Sequence, residues 1–169
     1  MVGLPRPAGA TDGSSVRRGV DPRGEDGALD RLLRDAAEQI TRFDAPEAFA
    51  ASRAGAVIID IRSQDAREAH GVIPRSLHIP RTVLEWRVAV DSPWRNRHLG
   101  GADQRLILVC DHGYSSVLAA SNLVQLGFPL AGDVIGGFES WQRNHLPIAP
   151  FRRRLSVAGA LPGSDGPEP

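Results

Sequence analysis

The stretch Leu106-Ile107-Leu108-Val109-Cys110-Asp111-His112-Gly113-Tyr114-Ser115-Ser116 decides how the rest of the chain is read. Its first five residues are apolar without alternation, as in a strand buried on both faces of a parallel sheet. From Ser116 to Leu126 the apolar residues fall at helical spacing, and Gly127 stops the helix. A buried strand therefore runs through a short polar loop into a helix. In open α/β sheets, ligands bind beyond the carboxyl ends of strands. Cys110 stands at such an end, facing the N–H groups and dipole of the helix that follows. That setting stabilises a thiolate. The competing reading is a small apolar residue closing a strand, since cysteine is often buried and inert.

Outward from this stretch the same alternation continues. Ala56-Val57-Ile58-Ile59-Asp60 is a second buried run, and Leu77-His78-Ile79 and Val134-Ile135 read as brief strands. Leu29, Leu32, Leu33, Ala36 and Ile40 predict a helix from Ala28 to Thr41. Further helices are expected from Pro46 to Ala54, capped by Asp44, and from Ser63 to His70, ended by Gly71. A fourth, Thr82 to Val90, has Val83, Trp86 and Val90 on its apolar face; another runs through Trp141 to Asn144. Asp91 to Gln104 reads as a loop. Strands alternating with helices predict an α/β fold with a mainly parallel sheet. The expected divisions are a disordered tail over 1–27, a helix over 28–43, the α/β domain over 44–150 and a second disordered tail over 151–169. The last contains Arg152-Arg153-Arg154.

A chain of 169 residues suits one domain with tails. Twenty basic residues, all arginine, balance twenty acidic ones, so no net field draws the protein to nucleic acid or an anionic membrane. One cysteine excludes an internal disulfide framework and any zinc site built from several thiolates. The five histidines share no ligand spacing with carboxylates, so no metal is expected. No apolar run approaches the roughly 20 residues that cross a bilayer. Met1 to Gly13 lacks the apolar run of a signal peptide, and Arg17-Arg18 is followed by Gly19, Asp21 and Pro22. The expected compartment is cytoplasmic, where a lone cysteine stays a thiol.

Four motifs, in order, resemble the rhodanese-like domain, the sulfurtransferase module. Val57-Ile58-Ile59-Asp60-Ile61-Arg62 is similar to the family's apolar strand ending in Asp-x-Arg. His70-Gly-Val-Ile-Pro-Arg-Ser-Leu-His-Ile-Pro80 resembles its Gly-His-Ile-Pro-Gly-Ala-x-Asn-Ile-Pro segment. Cys110-x-x-Gly113-x-Ser115-Ser116 resembles its Cys-x-x-Gly-x-Arg-Ser loop. Val134-Ile-Gly-Gly-Phe138-x-x-Trp141 with Leu146-Pro147 resembles its closing motif. The resemblance covers Asp44 to Ile148. It implies a parallel five-stranded sheet flanked by helices on both faces, and a persulfide formed on Cys110 by two half-reactions. It implies no cofactor. Its partners are a small-molecule sulfur donor and a thiol acceptor, with a persulfide-donating protein as another source.

The departures bear on substrate. Asp111 stands where the family usually has a basic residue, and Ser115 where it has arginine. An aspartate beside the thiol repels anionic donors and raises the thiol pKa, so a donor other than thiosulfate is expected. Ser116 stands where related phosphatases need arginine, which disfavours phosphatase chemistry. The expected active loop is Asp111, His112, Gly113, Tyr114, Ser115 and Ser116 around Cys110. His112 is a candidate acid/base or an idle loop residue, and Tyr114 a pocket wall. Asp60 and Arg62 are read as a structural pair or loop-orienting groups. Arg81 and Arg87 are candidate replacements for the missing loop cations. A non-catalytic rhodanese-like binding or regulatory module is the alternative to the enzyme.

Overall fold

Leu106–Val109 (β4) is the central strand of a five-stranded parallel sheet. A computed structural model describes residues 27–152. The expectations about the two tails and about export signals fall on 1–26 and 153–169, outside the described residues. The other strands are Thr41–Phe43 (β1), Val57–Asp60 (β2), Leu77–His78 (β3) and Gly132–Val134 (β5), and the spatial order is β1-β5-β4-β2-β3. The helices are Ala28–Glu38 (α1), Ala45–Arg53 (α2), Gln64–His70 (α3), Leu84–Val88 (α4), Ser115–Gln125 (α5) and Gly137–Arg143 (α6).

Alternation along β4 divides the core. Leu106, Leu108 and Cys110 join one apolar cluster with Ala119, Ala120 and Leu123 of α5. Ile107 and Val109 join another with Phe138 and Trp141 of α6. Helices α1, α4 and α5 therefore cover one face, and α2 and α6 the other. Trp141 is fully buried, donates from Nε1 to the Pro147 carbonyl at 3.0 Å and meets Phe49 edge-on. Local chemistry sets the ends of the elements. Asp44 and Glu47 form a reciprocal capping box on α2, and the Ser63 side chain caps α3.

Two expectations are corrected. The helix predicted through Thr41 stops at Glu38, and Thr41–Phe43 instead pairs with β5 at the sheet edge. The segment after Pro80 begins as a 3-10 turn, Arg81–Val83, before α4. Its expected apolar face, Val83, Trp86 and Val90, points to solvent, while Leu84 and Val88 are buried. Both sets satisfy helical spacing, and the tight first turn selects the second.

Candidate active site

Cys110 follows β4 directly, and α5 begins five residues later at Ser115. No side chain caps α5, so its first-turn N–H groups are free to face the loop. The thiol is buried. Its Sγ accepts from the Gly113 N–H at 3.1 Å and lies 3.2 Å from Ser116 Oγ. Burial pushes the thiol pKa up. Hydrogen bonds from the side chains of Ser115 and Ser116, and from the N–H groups of Ser116 and Gly113, outweigh burial and bring it below the ordinary value. The sequence reading set a lowering by the strand-end setting against a raising by Asp111; the net direction is downward, because the groups that touch sulfur can each donate to a thiolate.

A glycine lock holds the loop in shape. The Cys110 and Asp111 carbonyls accept from the N–H groups of Phe138 and Glu139, in the first turn of α6. That approach leaves no space for side chains at the contact. A Cβ on Gly113, which has φ of 80°, would stand 2.6 Å from the Gly136 nitrogen. A Cβ on Gly137 would strike the Cys110 carbonyl and stand 2.7 Å from the Gly113 nitrogen. The Gly136-Gly137 pair thus admits the backbone of the cysteine loop.

Beneath the thiol lies a polar chain that the sequence reading missed. Ser116 Oγ donates to Asp133 Oδ2 at 3.2 Å. Asp133 is fully buried on β5 and receives both Arg42 Nε at 2.9 Å and Nη2 at 3.2 Å. Arg42 and Asp133 are cross-strand neighbours in the β1–β5 register. The available signal was a single carboxylate, Asp133, inside an otherwise apolar strand; its partner lay in a segment read as helix.

The remaining predicted residues divide into groups. His112 and Tyr114 are exposed, and His112 Nδ1 lies 3.4 Å from Glu139 Oε2. Asp60 and Arg62 are both buried, on the α6 side of the sheet. Arg62 donates to Asp60 from Nε at 3.0 Å and from Nη2 at 2.8 Å, and its guanidinium carbon stands 3.5 Å over the Phe138 ring. Arg67 adds a second cation to Asp60 at 3.1 Å. Arg81 pairs with Glu85 at 2.8 Å, and Glu85 also accepts from Asn122 of α5. The Arg87 side chain is half-buried and makes no hydrogen bond or ion pair among the described residues. No described group of three or more His, Cys, Asp or Glu could hold a metal ion. No described helix is long and apolar enough to cross a membrane.

A parallel sheet whose central strand delivers a cysteine beneath a helix N-terminus defines a class of α/β proteins built to stabilise an anionic sulfur. Within that class the chain belongs to the rhodanese-like domain family, whose model matches residues 44–144. Thiosulfate sulfurtransferase GlpE of Stutzerimonas stutzeri (strain A1501) is 36% identical over 104 residues, covering 62% of this chain and 86% of the relative. The protein of that name from Pseudomonas syringae pv. syringae (strain B728a) is 32% identical, covering 63% of this chain and 92% of the relative. Among solved structures, a Rhodopseudomonas palustris CGA009 protein of unknown function, described as a possible tyrosine phosphatase, has a TM-score of 0.67 and 27% identity. It covers 76% of this chain and 98% of its own. The human single-domain sulfurtransferase TSTD1 shares the fold, with a TM-score of 0.51 at 21% identity over 62% of this chain and 96% of its own.

Proposed function

We propose that this chain is a rhodanese-type sulfurtransferase that carries sulfane sulfur on Cys110. The observation that carries the reading is a buried thiol whose pKa is lowered by the groups that touch it. The Cys110 thiolate attacks the outer sulfur of a donor. A bond forms from Sγ to that sulfur, the donor's own bond to it breaks, and the leaving group, sulfite when the donor is thiosulfate, departs with the electron pair. The outer sulfur of the resulting persulfide lies under the α5 N-terminus, where N–H groups stabilise its charge. An acceptor thiolate then takes that sulfur, and Cys110 leaves as thiolate.

The relatives' names make thiosulfate the first donor to test. Asp111 repels a dianion, however, so a donor of lower charge reacts faster here. Arg87, which has no ion-pair partner among the described residues, is the proposed anchor for the donor's anionic end. The proposed partners are a small-molecule donor and a thiol acceptor, and the proposed compartment is cytoplasmic. Phosphatase chemistry is disfavoured because Ser116 lies against the buried Asp133 carboxylate, which repels a phosphoryl group.

Incubation with thiosulfate, polysulfide and mercaptopyruvate, followed by intact mass spectrometry, tests the reading. Wild type should gain one sulfur atom that a thiol removes, and Cys110→Ser should gain none. Asp111→Arg should increase loading from dianionic thiosulfate about tenfold relative to mercaptopyruvate, which carries a single carboxylate. If no donor loads wild type, the enzyme reading fails and the binding-module reading takes its place.

A further inference from the structure

Cys110 lacks the flanking cations usual in its family, yet its pKa falls below the ordinary thiol value. The nearest cation connected to it by hydrogen bonds is Arg42, on a strand that precedes the residues matched by the family model. Between them run Asp133 and Ser116, both buried with essentially no solvent exposure. Every link has ordinary hydrogen-bond length: Arg42 to Asp133 at 2.9 and 3.2 Å, Ser116 to Asp133 at 3.2 Å, and Ser116 to Cys110 at 3.2 Å.

We infer that Arg42 and Asp133 are positioning residues that act on the Cys110 sulfur through the single hydroxyl proton of Ser116. This rests on the proposed role of Cys110 as nucleophile. A hydroxyl donates one hydrogen bond at a time. When sulfur is protonated, S–H donates to Ser116 Oγ, and the Ser116 O–H donates to Asp133. When the proton leaves sulfur for solvent, the Ser116 O–H turns to the thiolate. Asp133 then keeps the two N–H groups of Arg42. No bond between heavy atoms changes. Arg42 therefore sets how readily the carboxylate releases the hydroxyl. Without it, a buried unpaired carboxylate would hold that proton and withhold it from the thiolate.

The charged groups on the other elements around the loop are Asp111 and His112 in the loop itself, Glu139 and Arg143 on α6, Arg81 and Glu85 beside α5, and Arg87, the proposed donor anchor. The Asp60–Arg62 pair lies beyond β2. Among the described residues none of these is hydrogen-bonded to Sγ or to Ser116 Oγ. Within the described structure, Arg42 and Asp133 have the one hydrogen-bonded path to the sulfur.

The test is the pH dependence of Cys110 alkylation by iodoacetamide in the full chain, which needs no sulfur transfer. Arg42→Gln should move the inflection up, with alkylation about tenfold slower at neutral pH. Arg42→Lys should recover part of that loss. Asp133→Asn, with Arg42 left uncompensated, should move the inflection down, and the double variant should return close to wild type. In a Ser116→Ala background, Arg42→Gln should have little further effect. Circular dichroism confirms folding for each protein; should Arg42→Gln unfold, the near-isosteric Asp133→Asn decides the question. The inference is overturned if folded Asp133→Asn leaves the inflection in place, or if the Arg42→Gln shift persists without Ser116. Expected shifts in a protein that loads no sulfur would leave this inference standing and remove the proposed enzyme. Sulfur loading with immobile inflections would do the reverse.

Discussion

Asp60 and Asp133 are carboxylates without solvent exposure, and each is answered by arginine. The two solutions differ in how visible they are in a sequence. Asp60 and Arg62 are two residues apart at a strand end, so their pairing was legible from spacing. Arg42 lies 91 positions from Asp133, and only the fold brings them together. Arg62 also donates to the Gly71 carbonyl at 2.8 Å, which joins the end of β2 to the end of α3. This is the bonding of a structural pair. Arg62→Ala should leave Asp60 with Arg67 alone and cost about 3 kcal/mol in a urea titration. A variant as stable as wild type would remove the pair from the structural role. Cys110 was legible as a strand-end thiol, and so was the lowering of its pKa by that setting, but not the side chains that do the lowering. The neighbouring Asp111 suggested the opposite sign, and the donors that decide it come from loop closure.

At the scale of elements, short pieces were the least legible. β1 has three residues, of which only Phe43 is buried, so no apolar pattern announces it. Its close contact with β5 shows instead at Gly132, where a Cβ would strike the Thr41 carbonyl. α4 has one turn and a half, too short for its spacing to choose between two faces. The Gly136-Gly137 turn was legible as part of a closing motif, and the surface it meets is the cysteine loop. Gly127 gives a calibration, since it has φ of 91° and open space around its Cα. Gly127→Ala should cost about 1 kcal/mol for the backbone conformation alone. Gly137→Ala adds a steric collision with the Cys110 carbonyl and should cost at least twice as much. It should also return Cys110 alkylation to the pH dependence of an ordinary thiol. Equal losses in the two variants, with the thiol unchanged, would show that the turn does not shape the loop.

Across the whole molecule, the parallel sheet and its two flanking layers were legible because β2 and β4 are continuous apolar runs, buried on both faces. The balance of charge was legible as well, though its consequence for stability depends on position. Burial holds the His78 imidazole below its ordinary pKa and Arg67 adds to the effect, while the hydrogen bond to the Arg62 carbonyl and the charge of Asp60 oppose it. The unfolded chain therefore takes up that proton first as pH falls. Stability from His78 is present above the ordinary imidazole value and is lost as pH drops through the lower folded one. Glu85 is pushed up by burial but brought lower overall by Asn122, by its own backbone N–H and by Arg81. Its contribution is lost later, as pH falls below the ordinary carboxylate value. The urea midpoint should fall in two stages on acidification, and His78→Asn should flatten the first. A midpoint independent of pH through the imidazole range would contradict this account.

The hydrogen bonds from Phe138 and Glu139 to the cysteine loop have a consequence in time as well as in space. A ribosome releases Cys110 well before it releases the turn that closes around it. Until Gly136 to Glu139 emerge, the loop carbonyls of Cys110 and Asp111 lack the donors that hold them in the folded protein. On the proposed function, the first turn of α6 completes the loop that holds the sulfur, so a polypeptide truncated before Gly136 should load sulfur more slowly than the full chain.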